Sequence, residues 1–206
     1  MPQSFSAFFS QILQNPALAA VVLLTLAVVL VNGWTDAPNA IASVVVTGAL
    51  PFRPAVFMAA VCNFLGVLCL VSVNASVAET VYSIASFGGG TRDALTALCA
   101  AMAAVVLWAA AAWLFGIPTS ESHALVAGVS GAAVALNGGL SCIRWESWGK
   151  VLLGLLLSSA AGFWAGRSVV NCLKSVKWNN RIFLLAQLPG AAGTAFLHGA
   201  QDGQKF

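Results

Sequence analysis

The sequence predicts an all-α integral membrane protein. It reads as a multi-pass helical bundle with a broken first helix, a re-entrant hairpin and an inverted repeat whose second copy is incomplete. Three observations give this reading. The chain of 206 residues is 60% hydrophobic and only 7% charged, with a mean hydropathy of +0.91. A soluble domain carries about 25% charge, so these few charges could not cover a water-facing surface. Several apolar runs approach the roughly 20 residues that a spanning helix needs. Inside the first run, at 17–50, lies the polar stretch Asn32-Gly33-Trp34-Thr35-Asp36-Ala37-Pro38-Asn39-Ala40. A carboxylate at bilayer depth costs roughly 3 kcal/mol on insertion scales, so its usual reason is functional.

Composition also excludes classes. The net charge of +3 is too small to indicate a nucleic-acid partner. Cys62, Cys69, Cys99, Cys142 and Cys172 lack C-x-x-C spacing and read as small buried hydrophobes rather than disulfides or metal ligands. No signal peptide is expected, because residues 1–16 carry no Lys or Arg. That segment places Phe5, Phe8, Phe9, Ile12 and Leu13 at helical spacing, which predicts a short amphipathic helix on the membrane surface.

Residues 17–50 follow as a discontinuous helix. Gly33 and Pro38 interrupt the backbone, and interrupted backbone in the membrane survives where it lines a cavity or is buried in protein. The alternatives are a soluble core helix ended at Asn32-Gly33, or two short segments joined by a surface turn. Residues 54–73 form the next span, and 94–116 an Ala-rich third. Between them, 74–93 is more polar; Val77, Val81 and Ile84 suit a short amphipathic turn before the Gly88-Gly89-Gly90 loop. After the third span comes Pro118-Thr119-Ser120-Glu121-Ser122-His123, then an apolar stretch over 124–137 that is short for a span. This predicts a re-entrant hairpin with its tip at 117–123. Residues 151–171 make a further span with a Gly162-x-x-x-Gly166 pair suited to close helix packing. A basic loop over 172–181 precedes a last apolar segment over 182–200, interrupted at Pro189-Gly190.

The charges support the hairpin. With 117–123 re-entrant, loops 74–93 and 138–150 share a side, where Arg92, Arg144 and Lys150 balance Glu79, Asp93 and Glu146. Arg53, Lys174, Lys177 and Arg181 fall on the other side without an opposing acid. That is a positive-inside pattern with the N-terminus outside and 172–181 cytoplasmic. In this arrangement His198-Gly199-Ala200-Gln201-Asp202 repeats the polar-Gly-x-x-Asp pattern of 32–36 on a helix of opposite direction, which predicts an inverted-repeat transporter. The divisions expected are an interfacial segment 1–16, a first repeat 17–171, the loop 172–181 and the start of a second repeat 182–206.

Two kinds of ligand suit these residues. Helix N-termini attract anions, and Thr119, Ser120 and Ser122 at the start of the second hairpin arm offer hydroxyls for a tetrahedral oxyanion or simply cap that arm. Carboxylates and carbonyl oxygens at Asn32, Asp36, Asn39 and Asp202 suit a hard coupling cation. Glu121 is a further cation ligand or a favourable charge at a helix N-terminus. His123 and His198 are candidates for carrying a proton or orienting a neighbour.

At this point the chain resembles the inorganic phosphate transporter (PiT) family. Each of that family's inverted repeats carries a G-A-N-D-V-A-N-A-like signature and a P-V-S-T-T-H-like hairpin tip. Here Gly33, Asp36, Asn39 and Ala40 match the first signature, with Thr35 in place of Asn and Pro38 in place of Ala. Pro118, Ser120 and His123 match the tip, and Glu121 departs from it. His198, Gly199, Ala200 and Asp202 match the second signature, with Gln201 for Asn. The resemblance implies that Asp36 and Asn39 bind the coupling cation and help hold phosphate. It implies further that Ser120 and Ser122 contact phosphate and that Asp202 completes the site. The function implied is inorganic phosphate transport coupled to Na⁺ or H⁺, a symport by alternating access in the cell membrane, with no cofactor beyond the coupling ion.

The second signature lies at the end of the sequence, so a truncated half, or a chain completed by another copy or a second chain, is expected. Sulfate is an alternative substrate, and a non-transporting membrane subunit is an alternative role. A further alternative is an intramembrane serine protease, from the G-x-S-G match at Gly128-Val129-Ser130-Gly131 with His198 as partner.

Overall fold

A computed structural model describes residues 5–71, 83–87, 90–175 and 179–205. The expected turn at Val77 and Val81, the acid Glu79, Gly88-Gly89, Lys177, Phe206 and residues 1–4 lie outside the described residues. Among the described residues the structure is helical throughout, apart from short turns and one isolated bridge between Ala85 and Ile143. The helices are α1 (Phe5–Gln14), α2 (Pro16–Val46), α3 (Phe52–Val71), α4 (Thr91–Phe115), α5 (Glu121–Asn137), α6 (Trp145–Lys174) and α7 (Asn180–Asp202), with a 3₁₀ turn at Leu140–Cys142. Five of them (α2, α3, α4, α6, α7) are long and apolar enough to cross a membrane. The chain is an all-α, multi-pass membrane protein.

Local chemistry sets the ends. The Asn15 Oδ1 accepts from the amides of Ala17 and Leu18 at 3.1 and 3.3 Å, and Pro16 opens α2 where its missing N–H costs nothing. Gly116 ends α4 in the left-handed region at φ 66°, with Ile117 N–H bonded to the Ala112 carbonyl at 2.8 Å. This glycine closure lets Pro118 follow at once and turns the chain into α5. Asn179 caps α7 by accepting from the Arg181 amide at 3.2 Å.

Three expectations are corrected. The interruption expected at Gly33 and Pro38 does not occur: α2 is one helix of 31 residues containing Pro38. Proline removes a single backbone donor, which a long helix can lose without ending. Likewise α7 runs through Pro189-Gly190 to Asp202. The first signature therefore lies within a continuous helix. Nor are all cysteines buried: Cys142 is, whereas Cys69 and Cys172 are exposed on their helices.

The helices sort into two compact units. The first holds Met1–Asp36, Ala78–Arg144 and Lys205–Phe206; the second holds Ala37–Val77 and Trp145–Gln204. In the first, α4 buries Ala97, Ala101, Val105, Ala109 and Ala112, one face at three- and four-residue spacing. It packs along α5, which buries Leu125, Val126, Val129 and Ala133. At one end of this pair, Ser86 N–H donates to Cys142 O at 3.0 Å and Arg144 N–H to Ile84 O at 2.9 Å. The segments 83–87 and 137–144 are thus held together. In the second unit, Ala40, Ile41 and Val44 of α2 share a core with Ala55 and Ala59 of α3 and Ala191 and Ala195 of α7. Small residues at these positions let the backbones approach closely. Along α6 only Ser147 is buried; its leucines, Phe163 and Trp164 face outward, as suits a lipid-facing helix.

Candidate functional site

The polar residues of the first unit meet where α2 passes the start of α5. The α5 stripe Glu121, Leu125, Val129, Ala133 repeats every four residues, so the face that packs inward also carries Glu121 inward. Glu121 is only 4% exposed. Its Oε1 accepts from the Thr35 hydroxyl at 2.9 Å, and the Asp36 carboxyl lies beside it. Asn32, one turn before Asp36 on α2, is also buried. Four oxygen-bearing side chains of the signature and the tip therefore face one region of this unit.

The tip itself is braced by aromatic side chains. Trp108 Nε1 donates to Thr119 Oγ1 at 2.7 Å, and Trp34 of α2 meets Trp113 of α4 edge to face with centroids 4.6 Å apart. Ser120 occupies the N-cap position of α5 yet makes no side-chain capping bond. Its hydroxyl is not spent on the helix, and the first amides of α5 have no partner within the helix. Thr119, Ser120 and Ser122 are half-buried, whereas His123, two positions from Glu121 and on the opposite face of α5, is exposed. The tip residues thus divide, Glu121 inward and His123 outward.

The remaining candidates belong to the second unit. Asn39 is exposed on α2. His198 and Asp202, one turn apart at the end of α7, pair at 3.4 Å between Nε2 and Oδ2. Gly199 between them serves packing: a Cβ there would overlap the Asn63 backbone of α3, as one on Gly66 would overlap that of Phe196. Ser130 is buried on α5. At Gly128, two positions earlier, an added Cβ would sit 3.1 Å from the Ala101 carbonyl of α4. The first glycine of the G-x-S-G motif is thus part of a tight helix contact.

Two contributors were not singled out by the sequence. Thr35 stood in the signature only as a departure, and Trp108 stood in an apolar run. The indole N–H was the available signal, since a largely apolar environment leaves it needing an acceptor.

The fold defines a multi-pass helical membrane protein with oxygen-bearing side chains gathered inside it. The chain belongs to the phosphate transporter family, whose family model matches residues 32–181. It is similar to the "Probable low-affinity inorganic phosphate transporter" of Bacillus subtilis (strain 168), at 32% identity over 191 residues, covering 90% of this chain and 56% of the relative. It is similar to a protein of the same name from Streptomyces halstedii, at 37% over 183 residues, covering 82% of this chain and 80% of the relative. It is also similar to the "Low-affinity inorganic phosphate transporter PitA" of Escherichia coli (strain K12), at 32% over 217 residues, 89% of this chain and 44% of the relative. The chain spans about half the length of the Bacillus and Escherichia relatives. No solved structure matches.

Proposed function

We propose that the chain moves inorganic phosphate across the cell membrane, coupled to Na⁺ or H⁺ in a symport with alternating access. The carrying observation is the family match over 32–181, which includes both the first signature and the tip. The oxygen cluster of buried Asn32 and Glu121 with half-buried Asp36 supports a cation role for this region, because oxygen donors suit a hard cation. The uncommitted Ser120 hydroxyl, with Thr119 and Ser122 at the start of α5, supports a phosphate role for the tip, since a helix N-terminus favours an anion. In the second unit Asn39 and Asp202 take the corresponding roles, and His198 orients the Asp202 carboxyl through their contact. His123, exposed, is placed to exchange a proton rather than to hold the cation. The N-terminus lies outside and the segment 172–181 inside.

The test is uptake of radiolabelled phosphate into proteoliposomes, with sodium and pH gradients imposed separately and sulfate added as competitor. Uptake driven by one gradient, resistant to excess sulfate and lost in Asp36→Asn, is expected. Uptake abolished by sulfate would reassign the substrate. No uptake by folded protein would assign the chain a non-transporting role.

A further inference from the structure

Two of the positions where this chain departs from the pattern it resembles, 35 and 121, touch each other. They are 86 residues apart, yet Thr35 Oγ1 donates to Glu121 Oε1 at 2.9 Å. The signature has Asn at the first position and the tip has Thr at the second, so both partners differ together.

The contact has a physical reason. A carboxyl in place of a threonine hydroxyl puts a larger, more strongly hydrated group at the head of the buried face of α5. Such a group is costly to bury unless it is hydrogen-bonded. A threonine on α2 supplies that bond with a short, stiff side chain. Its hydroxyl also lies 3.0 Å from the Val31 carbonyl and 3.3 Å from that of Asn32. These neighbours of its own helix limit the hydroxyl to a narrow range of directions. Holding one oxygen of Glu121 in turn limits how the other can point beside Asp36.

We propose that Thr35 is a positioning residue for Glu121, and that the two act as one unit, substituting for the Asn and Thr of the signature, to present the Glu121 carboxyl beside Asp36 for the coupling cation. This rests on the transport reading above and adds to it the residue that orients the tip carboxylate.

The experiment is a double-mutant cycle on the full chain in proteoliposomes, with Thr35→Val, Thr35→Ser, Glu121→Thr and the pair Thr35→Val with Glu121→Thr. Phosphate uptake is measured against the concentration of whichever cation drives the wild type. Thr35→Val is expected to raise the half-saturating cation concentration about tenfold, the scale of one hydrogen bond to a charged group. The half-saturating phosphate concentration should stay within about twofold, and Thr35→Ser should restore cation dependence. In the Glu121→Thr background, Thr35→Val should add nothing. Equal effects of Thr35→Val in both backgrounds, or an effect confined to phosphate, would overturn the proposal. Wild-type protein that takes up no phosphate would sink the transport reading instead. The same variants are then compared by melting temperature, where non-additive losses support the positioning pair and additive losses overturn it.

Discussion

Gly199 of α7 lies against the backbone of Asn63 of α3 so closely that a methyl group on Gly199 would overlap the Asn63 carbonyl. Gly66 makes the reciprocal approach to Phe196, so the two helices are seated by a glycine from each side. Gly199→Ala and Gly66→Ala should each destabilise the protein by at least about 2 kcal/mol, because backbone on both sides leaves no side chain to move aside. Gly193→Ala, on the exposed side of α7 with open space around it, should be neutral or gain up to about 1 kcal/mol through helix propensity. Melting temperatures in detergent would check this, and equal behaviour of the three variants would refute the packing account.

The hydrogen bond from Trp108 to Thr119 joins α4 to the tip that follows it. Trp108→Phe keeps the ring and removes the donor. It should cost roughly 1 kcal/mol in stability, the net value of a single hydrogen bond. Thr119→Val should cost a similar amount, and the double variant no more than either, since both singles remove the same bond. A melting-temperature cycle reads this directly, and additive losses would show that the two side chains act independently.

The all-α, multi-pass class could be read in the sequence, because long apolar runs in a chain with 7% charge admit few other structures. The continuity of α2 could not. Gly33 and Pro38 weaken a helix locally, but one glycine and one proline remove too little to end a helix of 31 residues. Glu121 shows both sides of the matter. Its four-residue spacing from Leu125, Val129 and Ala133 was visible and implied an inward face, whereas its partner Thr35 is 86 residues away and no local pattern connects them. Gly199 was legible as part of a signature, but its tight seat depends on Asn63 of another helix. Local periodicity reveals which face is buried; the partner across the contact is a tertiary fact.

Helix α1 leaves Phe5, Phe9 and Leu13 exposed, with Leu13 at 83%, and buries none of its residues. No residue of 5–14 is charged. An isolated helix of ten residues is unstable in water. A peptide of residues 1–16 should therefore be disordered in buffer and become helical on zwitterionic vesicles, driven by apolar burial alone. Circular dichroism would show this, and the binding should be nearly unchanged between low and high salt. A strong salt dependence would mean that headgroup charge, rather than the apolar face, holds the segment.

The contact of Gly128 with α4 gives a test that separates packing from chemistry in the G-x-S-G motif. An added Cβ at 128 would lie 3.1 Å from the Ala101 carbonyl and 3.3 Å from Val105 Cγ2, a tight but not impossible fit. Gly128→Ala should thus cost little, because a methyl group asks α4 to yield by only a few tenths of an ångström. Gly128→Leu should cost about 1–3 kcal/mol or prevent folding, since its branch has no room between the two helices. Ser130, two positions on and 8% exposed, is shielded from any soluble reagent in the folded state. A fluorophosphonate probe should leave the folded protein unlabelled, and Ser130→Ala should retain phosphate uptake. Labelling lost in Ser130→Ala would show a reactive serine and return the motif to catalysis. Melting measurements on the two Gly128 variants and the labelling assay are independent, so a packing role requires both results.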